Sequence, residues 1–141
     1  MKAITFVTQK GGSGKSTLCI SLAVAAQERG LSVCILEMDR QATISDWLDH
    51  RTVDGPEVAQ IDATQIDAVM GKLRESSYDY VFIDTPGVDS TGTLSAIRAA
   101  DLCIIPCRPT PAGRAPDRVG PFDSRFRSIP QRLRSATGCG A

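Results

Sequence analysis

Histidine is almost absent from this chain: His50 is the only one. There are five cysteines (Cys19, Cys34, Cys103, Cys107 and Cys139), yet no two form a Cys-x-x-Cys pair. A structural zinc site needs several Cys or His ligands at close spacing, so this composition argues against one. The odd count, with three cysteines inside apolar runs, gives no disulfide framework either. Small buried hydrophobes in a reducing cytosol is the simpler reading. No apolar run is long enough to span a bilayer, and Met1 leads straight into a strand-like segment rather than a signal peptide. These absences predict a cytoplasmic protein. Internal repeats are lacking too.

Lysine is missing from Arg108 to the end, although arginine is not. That segment holds seven arginines, five prolines and four glycines against two acidic residues, a balance of +5. Met1 to Cys107 carries 9 Lys/Arg and 14 Asp/Glu, a balance of −5. The formal net charge of zero therefore hides two unlike regions. A chain of 141 residues with 42% hydrophobic content can bury the core of one domain. Apolar residues thin out after Pro109, and no further strand is indicated there. We expect residues 1–111 to fold and residues 112–141 to form a disordered Arg/Pro/Gly-rich tail. Such a lysine-free tail is also what a shifted reading frame in a GC-rich gene would encode.

Before the tail, strand-like and helix-like runs alternate. Ala3 to Thr8 is a short β-rich run ending in glycines. Ser16 to Arg29 reads as a helix, with Leu18, Leu22, Ala25 and Ala26 at helical spacing and Gly30 as its stop. Ser32 to Glu37 is apolar on both faces, as central parallel strands are. Thr43 to about Arg51 is a helix with Ile44, Trp47 and Leu48 on one side, and 51–56 is loop. Ile66, Val69, Met70 and Leu73 form the inner stripe of another helix, and Asp62 with Gln65 resembles a capping box at its start. Tyr78 to Asp84 is the third strand, Thr91 to Ala99 a helix, and Leu102 to Pro106 the fourth strand. This order predicts an α/β three-layer sandwich with a mostly parallel sheet of about four main strands, incomplete at the C-terminal end. Right-handed crossovers would bring the loops holding Lys15, Asp39 and Asp84 to one sheet edge.

Between the first strand and first helix lies Lys10-Gly-Gly-Ser-Gly-Lys-Ser-Thr17. Gly11, Gly12 and Gly14 let the backbone turn with several N–H groups aimed at one anion, and the helix adds its positive N-terminal end. In the general phosphate-loop pattern Lys15 reaches the β- and γ-phosphates, Ser16 offers its hydroxyl to Mg²⁺, and Thr17 reaches the α-phosphate. Ser13 completes the loop. The slot where that pattern begins with glycine is Gln9 here, and Lys10 follows it.

The lysine-first loop resembles that of the ParA/MinD class of ATPases with a deviant phosphate loop, a class that includes the nitrogenase iron protein. Two further segments support the resemblance. Glu37-Met-Asp-Arg-Gln41 is similar to the family's Asp-x-Asp-Pro-Gln switch, with Glu37 for the first aspartate and Arg40 for the proline. Val81-Phe-Ile-Asp84-Thr-Pro-Gly87 is similar to its strand ending in Asp-Thr-Pro-Pro. The resemblance covers Met1 to about Pro111 and is nearest to the small ParA type. It implies that Lys10 reaches across a nucleotide-sandwiched homodimer to the partner's phosphates, that Asp39 orients the attacking water, and that Asp84 holds Mg²⁺ through water.

The same resemblance implies an ATP- and Mg²⁺-dependent switch in plasmid or chromosome partition. ATP would close a dimer, the dimer would bind DNA non-specifically, and a ParB-like centromere-binding partner would trigger hydrolysis. The protein would then be nucleoid-associated. Family members run longer, and the further part carries adenine contacts, remaining strands and much of the dimer and DNA surface. Two alternatives follow. One is a truncated nucleotide-binding fragment without catalysis. The other is membrane association as in MinD, through Phe122, Phe126, Ile129 and Leu133 with arginines around them; Pro130 interrupts that stripe and argues against it. Iron-protein chemistry is disfavoured because Cys103 and Cys107 lie on or just after a buried strand. No Asn-Lys-x-Asp segment reads guanine, which disfavours a signalling GTPase.

Overall fold

Five short parallel strands, in the order β3-β2-β4-β1-β5, make the sheet of this computed structural model, which describes residues 1–8, 12–87 and 91–106. The strands are β1 (Lys2–Phe6), β2 (Val33–Glu37), β3 (Glu57–Gln60), β4 (Tyr80–Asp84) and β5 (Leu102–Ile104). The helices are α1 (Lys15–Gln27), α2 (Thr43–Asp49), α3 (Ile66–Arg74) and α4 (Thr91–Ala99), with a 3-10 turn at Ala63–Gln65. The described residues belong to one compact unit, Met1–Pro106.

Alternation along the strands sorts the core into two layers. Ala3, Cys34, Leu36, Val81 and Ile83 face one side, against Ile66 and Met70 of α3 and Ala96 of α4. Phe6, Val33, Ile35 and Phe82 face the other, against Cys19 and Ala23 of α1 and Ile44 of α2. Successive strand residues point to opposite faces, so a strand covered by helices on both sides must be apolar throughout. β2 shows this: all five of its residues are buried. Phe6, Phe82 and Tyr80 stack in a row on the α1/α2 side, with centroid separations of 6.2 and 6.1 Å.

The sequence reading of about four strands is corrected to five. β3 leaves no signal in the sequence because its four residues, Glu57-Val-Ala-Gln60, are mostly exposed and carry no apolar alternation. It is an edge strand, held by parallel pairing to β2 from Cys34↔Glu57 to Glu37↔Gln60. Most expected ends agree or shift by one or two residues: α4 spans Thr91–Ala99 as expected, and β2 and β4 end at Glu37 and Asp84.

Local signals are otherwise obeyed. Gly30 adopts φ 80°, and its N–H donates to Gln27 O (2.8 Å) while Leu31 N donates to Ala26 O (3.2 Å). That pair of bonds is a Schellman stop for α1. Asp62 and Gln65 form the reciprocal capping box, on the 3-10 turn that leads into α3. Asp101 starts β5: its carboxylate accepts from Ala3 N, and its N–H donates to Ala3 O, both at 2.8 Å. The anticipated tail 112–141 and the stripe Phe122–Leu133 lie outside the described residues.

Ile83 is fully buried in β4, between β1 and β2. Truncating Ile83→Ala should lower unfolding stability by about 2–5 kcal/mol, since it leaves a cavity as well as losing buried surface. Val53→Ala, at a residue 61% exposed, should stay within about 0.5 kcal/mol. Urea denaturation of both variants measures the difference.

Candidate functional site

The last residues of four strands stand side by side. Phe6 pairs with Asp84, Glu37 pairs with Asp84, and Phe6 pairs with Ile104. The loops that leave β1, β2 and β4 therefore start from one row at the carboxyl edge. Alternation decides which side each end residue faces. Glu37 is in phase with Val33 and Ile35, and Asp84 with Tyr80 and Phe82, so both carboxylates point to the α1/α2 side.

The loop from β1 to α1 is closed by a hydroxyl pair, Thr8 Oγ1 and Ser13 Oγ, at 2.9 Å. Gly12 and Gly14 have φ 68° and 88°, which a residue with a Cβ adopts only under strain. Gly14 occupies the N-cap of α1 and has no side chain with which to cap it, so the first amide groups of the helix look into the loop. Lys15 begins the helix and is 6% exposed. Ser16 is half-buried and Thr17 exposed. Lys10 and Gly11 lie outside the described residues.

Ser16 meets Asp84 directly. Its Oγ donates to Asp84 Oδ2 at 2.6 Å. The other oxygen, Asp84 Oδ1, is buried with no hydrogen-bond partner. A buried carboxylate oxygen without a partner is costly. Burial accordingly pushes the Asp84 carboxyl up to about 6. The Ser16 hydrogen bond and the Lys15 charge pull the other way, while Glu37 and Asp39 add to the rise. Burial first, then the charges of Asp84 and Glu37, also raise the Cys19 thiol on α1. Lys15, Glu37, Asp39 and Asp84 thus share one electrostatic neighbourhood.

A hydroxyl and a half-satisfied carboxylate beside a lysine are a donor set that suits a hard, oxygen-seeking divalent cation. Ser16 and Asp84 fit Mg²⁺ on that count, because Oδ1 is the buried acceptor that lacks a donor. Among the described residues no three His, Cys, Asp or Glu side chains cluster to hold a metal.

Asp39 lies just beyond β2, half-buried, in a tight turn. Its Oδ1 accepts from Gln41 N at 3.0 Å, and its carbonyl accepts from Ala42 N at 3.1 Å. Met38 N donates to Asp84 O at 2.9 Å, which ties the start of this turn to β4. Two buried groups have no role assigned from the sequence. Glu37 is 1% exposed and accepts hydrogen bonds from the start of α2. Thr85 is fully buried and donates from Oγ1 to Phe6 O at 2.6 Å, which fastens the end of β4 to β1. The strand phase could have flagged Glu37, as a charge on a buried face needs a partner.

This arrangement, a parallel sheet with a glycine-rich loop entering a helix and an aspartate ending the adjacent strand, defines a P-loop nucleotide-binding domain. The chain belongs to the family of the CobQ/CobB/MinD/ParA nucleotide binding domain, whose family model matches residues 4–112. It is 30% identical over 111 residues to the ParA protein of Rhizobium radiobacter, covering 77% of this chain and 50% of that protein. A plasmid partition protein of Borrelia burgdorferi superposes with a TM-score of 0.61 at 23% identity, over 74% of this chain and 63% of that one. MinD of Pyrococcus horikoshii, solved with Mg-ADP, gives 0.59 at 21%, over 74% and 56%. At these identities the structural likeness is one of fold. The chain spans about half the length of the curated relatives it matches. Among the described residues no helix is long and apolar enough to cross a membrane.

The raised carboxyl gives a pH prediction for the protein free of nucleotide and metal. An acid whose folded pKa is about 6, against 3.8 unfolded, binds its proton more tightly when folded. Its contribution therefore favours folding below about pH 4 and is lost as pH rises through 6. Asp84→Asn keeps an oxygen for Ser16 and carries no charge. It should be more stable than wild type near neutral pH by on the order of 2 kcal/mol, with the gap closing toward pH 4. Unfolding midpoints across that range test this, and a gap that does not change with pH counts against it.

Proposed function

We propose that this chain is a Mg²⁺-dependent ATPase switch of the ParA type, acting in plasmid or chromosome partition. The observation that carries the chemistry is the Ser16–Asp84 pair beside Lys15, with Asp84 Oδ1 buried and unpartnered. The relatives, a ParA protein and a plasmid partition protein, support the partition role. MinD solved with Mg-ADP supports the choice of nucleotide and metal.

In this reading the amides of Gly11, Gly12, Ser13 and Gly14 and the start of α1 bind the phosphates, Lys15 neutralises the β- and γ-phosphates, and Thr17 reaches the α-phosphate. Ser16 and Asp84 would hold Mg²⁺, Asp84 through water, and the ion would supply positive charge to the phosphate oxygens. Asp39 orients water for in-line attack and would not ligate the metal directly. Lys10 reaches the nucleotide of a second copy, so hydrolysis belongs to an ATP-closed homodimer. That dimer binds DNA without sequence preference, and a ParB-like partner stimulates turnover. Residues 1–111 carry the nucleotide site. The site of action is the cytoplasm, on the nucleoid.

Titration with ATP and Mg²⁺, followed by steady-state hydrolysis with DNA present, tests this. Lys15→Ala should weaken ATP binding by about tenfold or more, as a charge-assisted contact is lost. Asp39→Ala should bind ATP nearly as wild type does and lower kcat by about 100-fold, the usual scale for losing a group that handles the attacking nucleophile. Wild type that binds ATP but never turns it over would reduce the function to nucleotide binding. Equal turnover in all three proteins would remove the assigned roles.

A further inference from the structure

Three carboxylates, Glu37, Asp39 and Asp84, share the neighbourhood of Lys15, and Glu37 alone has no part in the reading above. We propose that Glu37 is a positioning residue: it holds the turn that carries Asp39 by capping α2 from the end of β2. The inference rests on Asp39 acting on the attacking water, and it adds what keeps Asp39 in place.

The start of α2 cannot cap itself. Ala42 stands at its N-cap with φ 50° and offers no side-chain acceptor. The first amides of a helix have no partner within it and need acceptors from elsewhere. Both oxygens of Glu37 supply them. Oε1 accepts from Ile44 N at 2.6 Å. Oε2 accepts from Ser45 N at 3.1 Å and from Ser45 Oγ at 2.6 Å. Charge-assisted bonds of this kind are among the stronger ones in proteins. Ser45 Oγ also accepts from Gln60 Nε2 at 3.0 Å, so the edge strand β3 joins the same network.

The consequence falls on the residues in between. Met38 is fastened to β4 by its N–H, and Ile44 and Ser45 are fastened to Glu37. Residues 39–43 close a short arc between two fixed points. No proline stiffens that arc: position 40 is Arg40, which leaves φ free. The αL backbone of Ala42 costs about 1 kcal/mol or more for a residue with a Cβ, and it persists only where its surroundings hold it. The hold on the α2 side is Glu37. Releasing it frees the arc to relax and Asp39 to leave its place, while the phosphate loop on the other side of β4 keeps its own anchors, Thr8–Ser13 and Ser16–Asp84.

Glu37→Gln keeps the size but replaces one accepting oxygen with a donor. Amide hydrogen exchange without nucleotide should become about tenfold faster or more in peptides covering 38–45, and stay unchanged in β1 and β4. With ATP and Mg²⁺, kcat should fall by about tenfold or more while the KM for ATP stays within about threefold. Unchanged exchange over 38–45 overturns the proposal, and so does faster exchange there with an unchanged kcat. If Glu37→Gln loosens β1 and β4 as well, Ser45→Ala, which removes only the hydroxyl contact, carries the same comparison with a smaller effect of the same sign. If wild type does not hydrolyse ATP, the hydrolysis reading fails by itself, and exchange over 38–45 still decides whether Glu37 holds the turn.

Discussion

Asp84 ends the strand that lies between β1 and β2, fully buried, with one oxygen on Ser16 and the other on nothing. Each neighbouring element is arranged around that carboxylate. β1 delivers the phosphate loop from the next strand, and α1 delivers Lys15 and Ser16. β2 ends at Glu37 in the same row, and the backbone beyond it hangs from Asp84 O through Met38 N. Thr85 fastens the chain just past Asp84 back to β1. The carboxylate is costly to the fold, because burial opposes its charge. In the proposed function a cation answers that cost, in keeping with the way stability is given up at functional sites.

The two faces of the sheet divide the labour. The α3/α4 side is an apolar layer of Ala3, Leu36, Val81, Ile83, Ile66 and Met70, and supplies burial. The α1/α2 side begins just as apolar, with Phe6, Ile35 and Phe82, and turns polar only at the carboxyl ends of the strands. That switch from apolar to ionisable within one strand turn gives the site low-dielectric walls. Charges set there act on one another and on a ligand more strongly than they would in water. Glu37 illustrates the constraint: a buried carboxylate must be satisfied, and it is satisfied by the helix that carries the turn away from the site.

Much of this was legible in the residues. The lysine-first loop, the strand ending in Asp84 and the segment around Asp39 were each readable because glycine spacing and apolar runs are local signals. Gly30 and the Asp62–Gln65 box gave two helix boundaries for the same reason. β3 was not legible: Glu57 to Gln60 are held in the sheet by backbone pairing with β2, which leaves no side-chain pattern. The capping role of Glu37 was not legible either, since a helix start is normally read from the residue next to it, and here the acceptor comes from the preceding strand.

The sequence by itself determined the alternation of strand and helix, the phosphate loop at residues 10–17 and the acidic residues that end β2 and β4. Those depend on side-chain type and on spacing along the chain, and both are written in order. Only the tertiary structure decided that β4 inserts between β2 and β1, which sets Asp84 beside Ser16 and in register with Glu37. Strand order is chosen by burying two apolar faces at once, and that is a property of the packed molecule rather than of any segment. The unpartnered oxygen of Asp84 and the satisfied oxygens of Glu37 follow from the same choice, because burial turns a carboxylate into either a site or a clasp according to the donors around it.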